Sequence, residues 1–419
     1  MRKKYSIILS VLVFLPLLFV RQASAQNANS TYDVRFFPDI WFNSVDAARA
    51  GVDVRGRQAG NAVLGYHRLS LGVWLATRFP KNPVSYYLDF TEPIDAWSDF
   101  NAESSIGLIS EYRAGYTQHG VELSKRWQSG FDEDKYELLH IKLYGEELYT
   151  SSYELFPGLW DSDWHFLADL DFSVHRISEL HSTYFDVATK VSPGVSGNGF
   201  VQGTLELAQK FSLGSGFHWN YRLFGALSSS ETPIQYQYLY SMASPHDWKS
   251  NPFMRGRGTI PPVWMREGWI QYSGGPAIRG YVNQDIQNLK SGTPYLMRNI
   301  ASVNTKLTYP NPISHLLSKH SFINNFLSFR SYLFADAGGT FKEKKVMKAG
   351  DVLVSDGRDF RADAGPGFAL SITFPDNEGR TKTITFRYDV PLWLSDPTEG
   401  SNPFKYRNVF GLNAIIPFK

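Results

Sequence analysis

The 419-residue sequence has no cysteine. Disulfides, a thiolate metal site and lipid attachment at a mature N-terminal cysteine are therefore excluded. An excess of charge of either sign is lacking too, with 42 Lys and Arg against 40 Asp and Glu. Four of those basic residues, Arg2, Lys3, Lys4 and Arg21, fall in the first 25 positions with no acid among them, which leaves 38 against 40, a formal charge of −2. That balance suits neither a nucleic-acid partner nor a polybasic membrane-surface segment. The third absence is a long apolar run: beyond residue 25 none approaches the roughly 20 residues of a helical membrane span.

The N-terminus reads as a leader. Arg2, Lys3 and Lys4 form a positive segment, Tyr5 to Val20 an apolar one, and Ala23-Ser24-Ala25 a small-residue cleavage site. Residues 1–25 are expected to be a secretory signal peptide, with the mature chain starting near Gln26. What the remainder has in abundance is aromatics, 15% of the sequence, with 30 Phe, 23 Tyr and 11 Trp. Aromatic girdles at both interfaces are a requirement of transmembrane β-barrels. An exported, aromatic-rich chain without a helical span is expected in the outer membrane of a Gram-negative bacterium, with outer-membrane lipid around it.

Period-two alternation tests that expectation, because lipid-facing and lumen-facing side chains alternate along a barrel strand. In FHWNYRLFGAL, Phe217, Trp219, Tyr221, Leu223 and Leu227 share one face, and His218, Asn220 and Arg222 the other. In KTITFRYDVPL, Ile384, Phe386, Tyr388, Val390 and Leu392 oppose Thr383, Thr385, Arg387 and Asp389. Charges on an inward face are costly in a soluble sandwich but ordinary in a wet lumen. About sixteen such segments of about ten residues follow, the length of a tilted spanning strand. Their centres lie near Phe37, Val52, Leu71, Leu88, Ile109, Leu123, Ile141, Leu170, Val187, Leu205, Tyr221, Val303, Leu333, Phe368, Phe386 and Leu412. The Tyr112 to Lys125 region reads either as two of these or as one long strand. The expected fold is all-β, a transmembrane antiparallel barrel of about 16 strands over residues 26–419, with no second domain.

One connection is far longer than the others. Residues 228–297 form an extracellular loop in this reading, and loops of such length are either disordered or functional. A second, PNPISHLLSKHSFINNF, carries an apolar pattern at Ile313, Leu316, Leu317, Phe322 and Phe326 that fits a helix on the opposite side or a strand extension. The chain ends with Phe410, Leu412, Ala414, Ile416 and Phe418 on one face, followed by Lys419. Such an aromatic-ended closing strand reads as the C-terminal signal for barrel-assembly machinery, carried by Phe410, Leu412, Ile416 and Phe418.

Several short pieces in the last third resemble the barrel of the Omp85 superfamily, the outer-membrane insertases and two-partner secretion translocators, also called the bacterial surface antigen family. IRGY (278–281) lies in the loop before the twelfth strand and FADAG (334–338) in the thirteenth, followed by AGPGFAL (364–370) and ITFRYDVPL (384–392). Their order carries the resemblance. It implies that the long loop folds into the lumen, where Arg279 meets Asp336 and the ring of Phe334. It further implies that Gly280 permits a tight apex, that Tyr281 packs it on the wall, and that Gly338, Gly365 and Gly367 leave room beside it. The opening DVRFFPDIWFNSVDAARAGVDVRG (33–56) looks like the first hairpin of barrels attached to M1-type aminopeptidases in Bacteroidetes-like bacteria. The superfamily's soluble periplasmic POTRA repeats are not expected in this chain, since few residues separate Gln26 from the first strand.

No catalytic constellation stands out. The peptidase HExxH is absent, and HLLSKH (315–320) lacks its glutamate and its spacing. His165, Asp169, Asp171 and His175 share a polar face, yet positions two apart on a strand lie about 6.6 Å from each other, too far to share an ion without cross-strand help. GVSGNG (194–199) reads as a hairpin turn, since no helix follows to cradle phosphate. The chain is therefore expected to be neither an enzyme nor a cofactor or metal binder. Three functions fit: protein insertion or translocation through a weak seam between first and last strands, a passive solute channel, or an anchor for a separately encoded periplasmic or surface protein such as a peptidase. Pro38 and Pro417 each remove a backbone donor near that seam, which fits short or frayed pairing there.

Overall fold

A computed structural model describes residues 32–43, 46–58, 67–78, 83–99, 102–150, 154, 156–194, 199–250, 262–292, 294–319, 326–340, 343–348, 351–356, 359–375, 381–397 and 400–412. The expected leader, residues 195–198 of the GVSGNG turn, His320 and Phe322, and Ala414, Ile416, Pro417 and Phe418 of the terminal pattern lie outside the described residues.

Eighteen strands form the main sheet. Sixteen follow one another in chain order: β1 (Tyr32–Asn43), β2 (Ala47–Gln58), β3 (Arg68–Ala76), β4 (Val84–Pro93), β5 (Ser105–Arg113), β6 (Tyr116–Gln128), β7 (Lys135–Leu148) and β8 (His165–Ile177). The series continues with β9 (His181–Ser192), β10 (Phe200–Gly214), β11 (Phe217–Ser228), β12 (Ile300–Tyr309), β13 (Leu327–Thr340), β14 (Asp359–Pro375), β15 (Thr381–Asp389) and β16 (Val409–Leu412). Each pairs antiparallel with the next. All sixteen centres read from the alternation fall inside these strands. The remaining two are short: Trp393–Leu394 adds to β14, and Ile270–Tyr272, from the long loop, pairs in parallel with β16.

Two open readings are settled. Tyr112 to Lys125 is two strands, because Ala114 and Gly115 take positive φ of 49° and 79°, the backbone of a tight two-residue hairpin. Among the described residues the connection between β12 and β13 holds a helix, α4 (Pro312–Ser318), the last of four described; the others are α1 (Pro245–Ser250), α2 (Pro262–Arg266) and α3 (Val282–Lys290), all in the long loop. Asn311 starts α4 with a capping box, its side chain accepting from the Ser314 amide at 2.8 Å, and Pro312 follows where no donor is needed. Among the described residues no helix is long and apolar enough to cross a membrane.

Burial along the strands is inverted relative to a water-soluble sheet. On β11 Asn220 and Arg222 are 3% and 2% exposed, while Trp219 and Leu223 are 42% and 40% exposed. An apolar face pointing outward over a polar interior matches hydrocarbon outside and water or protein inside. The sheet also curls. Side chains of the long loop bond to Glu146 on β7 and to Asp389 on β15, eight strands apart, about 38 Å if the sheet were flat. Both walls meet one loop because the sheet wraps around it as a barrel.

The two ends of the meander differ. β1 is in unbroken twelve-residue register with β2, with Pro38 opposite Val52. Among the described residues no pairing joins β1 to β16. Phe36, Ile40 and Phe42 on β1 are 70–78% exposed, against 40–52% for outward-facing Val52, Leu143, Leu170 and Leu223. Among the described residues, β1 has a strand neighbour on one side only.

Candidate functional site

The loop enters the lumen at Gly274, Gly275 and Ala277, whose φ values of 137°, 57° and 52° reverse the chain. A 3₁₀ turn, Arg279–Tyr281, follows and leads directly into α3. Arg279 is buried, 2% exposed, and its guanidinium grips Asp336 on β13 with two bonds, Nε to Oδ2 at 2.6 Å and Nη2 to Oδ1 at 3.0 Å. Such a bidentate fork is what arginine offers and lysine lacks. The guanidinium lies 4.0 Å from the centre of the Phe334 ring. Burial alone would lower the pKa of Arg279, but Asp336 and Asp389 outweigh it and hold the group more firmly charged than usual.

Several partners were not read from the sequence. Asp389 on β15 accepts from Arg279 Nη1 at 3.1 Å and from the Tyr332 hydroxyl at 2.7 Å, and Arg387 also bonds to it. Asp363 on β14, in register with Asp336, accepts the Gly280 amide at 2.5 Å. Arg361 spreads over the rings of Tyr240 and Tyr281 at 4.6 and 4.9 Å. The available signal was parity, since Asp336, Asp363 and Asp389 occupy inward positions of adjacent strands; the register that aligns them was not legible.

The glycines act by close approach. Gly280 has no positive φ among the residues that do; a Cβ there would meet Leu394 Cδ2 at 2.4 Å and Asp363 Oδ2 at 2.8 Å, so contact with the wall, not a tight apex, demands glycine. A Cβ on Gly338 would meet Ile278 Cδ1 at 2.9 Å, directly beneath the turn. Gly367 admits the Tyr332 ring and Asp389. Gly365 makes room elsewhere than expected, for the backbone at Val390 and Leu392. Tyr281 is fully buried, its hydroxyl shared with Ala362 O, Ser395 and the Asp396 amide at 3.1–3.3 Å.

The loop has a second anchorage on the opposite wall, unread from the sequence. Glu146 on β7 is 3% exposed and accepts from Tyr116 at 2.5 Å, from Gln118 at 3.3 Å, from Tyr236 and from His246 Nε2 at 3.1 Å. Lys249, at the end of α1, bonds Glu154 at 2.6 Å and Ala114 O at 2.9 Å.

Other expected residues stand apart from both anchorages or in ordinary pairs. Phe410 faces outward beside Tyr388, with ring centres 4.9 Å apart; Leu412, expected on the same face, is instead buried, 1% exposed. Asp169 pairs with Lys190 at 2.6 Å, and His175 stacks on Tyr136 at 4.3 Å. Among the described residues no group of three His, Cys, Asp or Glu is placed to hold a metal ion.

No protein-family model matches the sequence, and no curated protein matches it. Among solved structures the chain is similar to BamA from Haemophilus ducreyi lacking POTRA domains 1–3, at 14% identity and a TM-score of 0.44, over 92% of this chain and 70% of that one. It is also similar to CdiB from Escherichia coli, at 10% identity and a TM-score of 0.39, over 92% of this chain and 63% of that one.

Proposed function

We propose that the chain is an exported outer-membrane barrel of Omp85 type that acts in protein insertion or translocation, or as the membrane module of a partner protein. The observation that carries this reading is β1, twelve residues long and paired on one side only among the described residues. A long strand with an open edge is a template for a strand of another chain. The buried Arg279–Asp336 contact supports the reading, because it fixes the loop inside the barrel, away from the edge of β1. In this reading lipid surrounds the apolar face, barrel-assembly machinery inserts the chain itself, and the ligand at the seam is an extended segment of client protein.

The absence of cysteine gives a clean background for the test. A panel of paired cysteines, one in 34–41 and one in 409–412, is reconstituted in liposomes with an unfolded reporter barrel. The expected result is that oxidation of cross-linked pairs stops reporter assembly and reductant restores it. Reporter assembly unaffected by a formed cross-link would sink the insertion reading, and stoichiometric co-purification of another protein would then favour the membrane module. A passive channel is the weaker reading because the loop reaches both walls; ion-selective conductance by the intact protein would reverse that ranking.

A further inference from the structure

The short parallel pairing of Ile270–Tyr272 with β16 has a consequence for the seam. Phe410, Gly411 and Leu412 are paired with Tyr388, Arg387 and Phe386 of β15 on one edge, and with Ile270, Gln271 and Tyr272 on the other. A strand has two edges only, so the loop segment occupies the edge through which β16 would otherwise meet β1. The two seam strands are thus unequal: among the described residues the edge of β1 carries no pairing, and that of β16 is filled at 410–412 from within the same chain.

Side chains pin the segment. Arg387, Gly411 and Gln271 form a row across three adjacent strands. Arg387 reaches over the middle strand, its Nη2 donating to Gln271 Oε1 at 2.8 Å and to Ser273 Oγ at 3.0 Å. Gly411 makes that reach feasible, since a Cβ at this position would stand 2.1 Å from Arg387 Nη2. Ser273 Oγ in turn donates to the carbonyl of Leu412 at 3.0 Å. Gln271 is 0% exposed, and its amide also donates to Ser241 O. The other arm of Arg387 bonds Asp389, which Arg279 shares, so the segment and the RGY turn hang on one chain of charged groups.

The geometry points to an autoinhibitory strap: Ile270–Tyr272 caps the outer edge of β16 at 410–412, held by Arg387 across Gly411, and must leave before these residues can pair with β1 or with a client strand. The placement of the strap stands on the pairings alone; its inhibitory role rests on the insertion reading above. The strap predicts that anything loosening the Arg387–Gln271 bridge frees the edge without unfolding the barrel.

Two experiments separate those parts. The first uses the full-length protein in liposomes with Ile270→Cys and Phe410→Cys. Oxidation is expected to form the intramolecular disulfide, and Tyr388→Cys with Phe410→Cys serves as the control across β15 and β16. Failure of the first pair while the control forms would overturn the strap. Adding Gly411→Ala should slow Ile270–Phe410 cross-linking about tenfold, the fold-change of one charge-assisted hydrogen bond. An unchanged rate would overturn the pin. Should Gly411→Ala prevent folding, Gln271→Leu is the second variant, with the same two outcomes. The second experiment is reporter assembly. Gly411→Ala or Gln271→Leu should accelerate it, and the oxidised Ile270–Phe410 pair should suppress it. Cross-linking as expected with assembly rate unmoved overturns the inhibitory role and leaves the insertion reading to the β1 test alone.

Discussion

The loop is fastened to opposite walls by two different chemistries. On the β13–β15 wall, Arg279 is held by Asp336 and Asp389, all of them 2% exposed or less, with Arg387 and Tyr332 completing the set. On the β7 wall one carboxylate, Glu146, is ringed by tyrosine hydroxyls, an amide and an imidazole. The first anchorage has fixed charges on both sides and tolerates no vacancy. The second surrounds one acid with hydroxyls, an amide and one imidazole that titrates near neutrality, and can loosen by degrees. The anchor next to the seam is thus permanent, and the one far from it adjustable.

The largest effect separates the two anchorages by charge. Removing one partner from a buried ion pair leaves the other uncompensated, which costs about 3–5 kcal/mol. Arg279→Ala and Asp336→Asn should each lower the temperature at which the folded barrel loses its fast-migrating form on cold gels. Arg279→Lys should recover little, because it keeps the charge but not the fork. Glu146→Gln keeps the shape of its cage and should cost less, about 1–3 kcal/mol. Equal losses at the two sites would erase the proposed difference between them.

A smaller effect tests close approach. Gly280→Ala drives a methyl group into Leu394 and Asp363 and should cost about 1–3 kcal/mol in the same gel assay. Gly203→Ala on β10, where a Cβ meets nothing within 4 Å, should fall within about 0.5 kcal/mol of the parent. A neutral Gly280→Ala would mean that the turn stands off the wall.

Legibility in the sequence followed the same division. Strand positions were readable because alternation is a local property, imposed on every strand by lipid on one side and a polar interior on the other. Arg279, Phe334 and Asp336 were readable because they sit in short motifs of recognisable order. Asp363, Asp389 and Arg387 were not, since their meeting depends on the register of three strands, which no local pattern encodes. Glu146 and His246 were hidden for a different reason: they lie 100 residues apart, on a strand and a loop helix, and only the curling of the sheet joins them. The strap was equally hidden. Gln271 and Gly411 look unremarkable until Arg387 is seen to cross one to reach the other.

The smallest expected effect is on pH, and it sharpens the comparison most cleanly. Burial would lower the pKa of His246, but Glu146, with help from Asp247, raises it above the usual imidazole value, while Lys190 works against them. A raised imidazole stabilises docking fully below its unfolded pKa near 6.5, and that stability is lost as pH rises through the folded value. Asp285 on α3 is pushed up to about 6 by burial, which outweighs its two bonds from Ser241 and the nearby Arg361. A raised carboxyl binds more protons folded than unfolded between about pH 4 and 6, so its contribution also declines as pH rises. Both groups therefore favour docking in mild acid, whereas Arg279 stays charged throughout. Hydrogen exchange, corrected for intrinsic rates, should show protection of 244–250 falling as pH rises from 6 to 8, and that of 282–290 falling earlier, between about pH 4 and 6. Protection of 278–281 should hold. His246→Gln should flatten the response of 244–250 and leave that of 282–290. A uniform change across all three segments would mean that the loop is released as one body, and that its two anchorages are not independent.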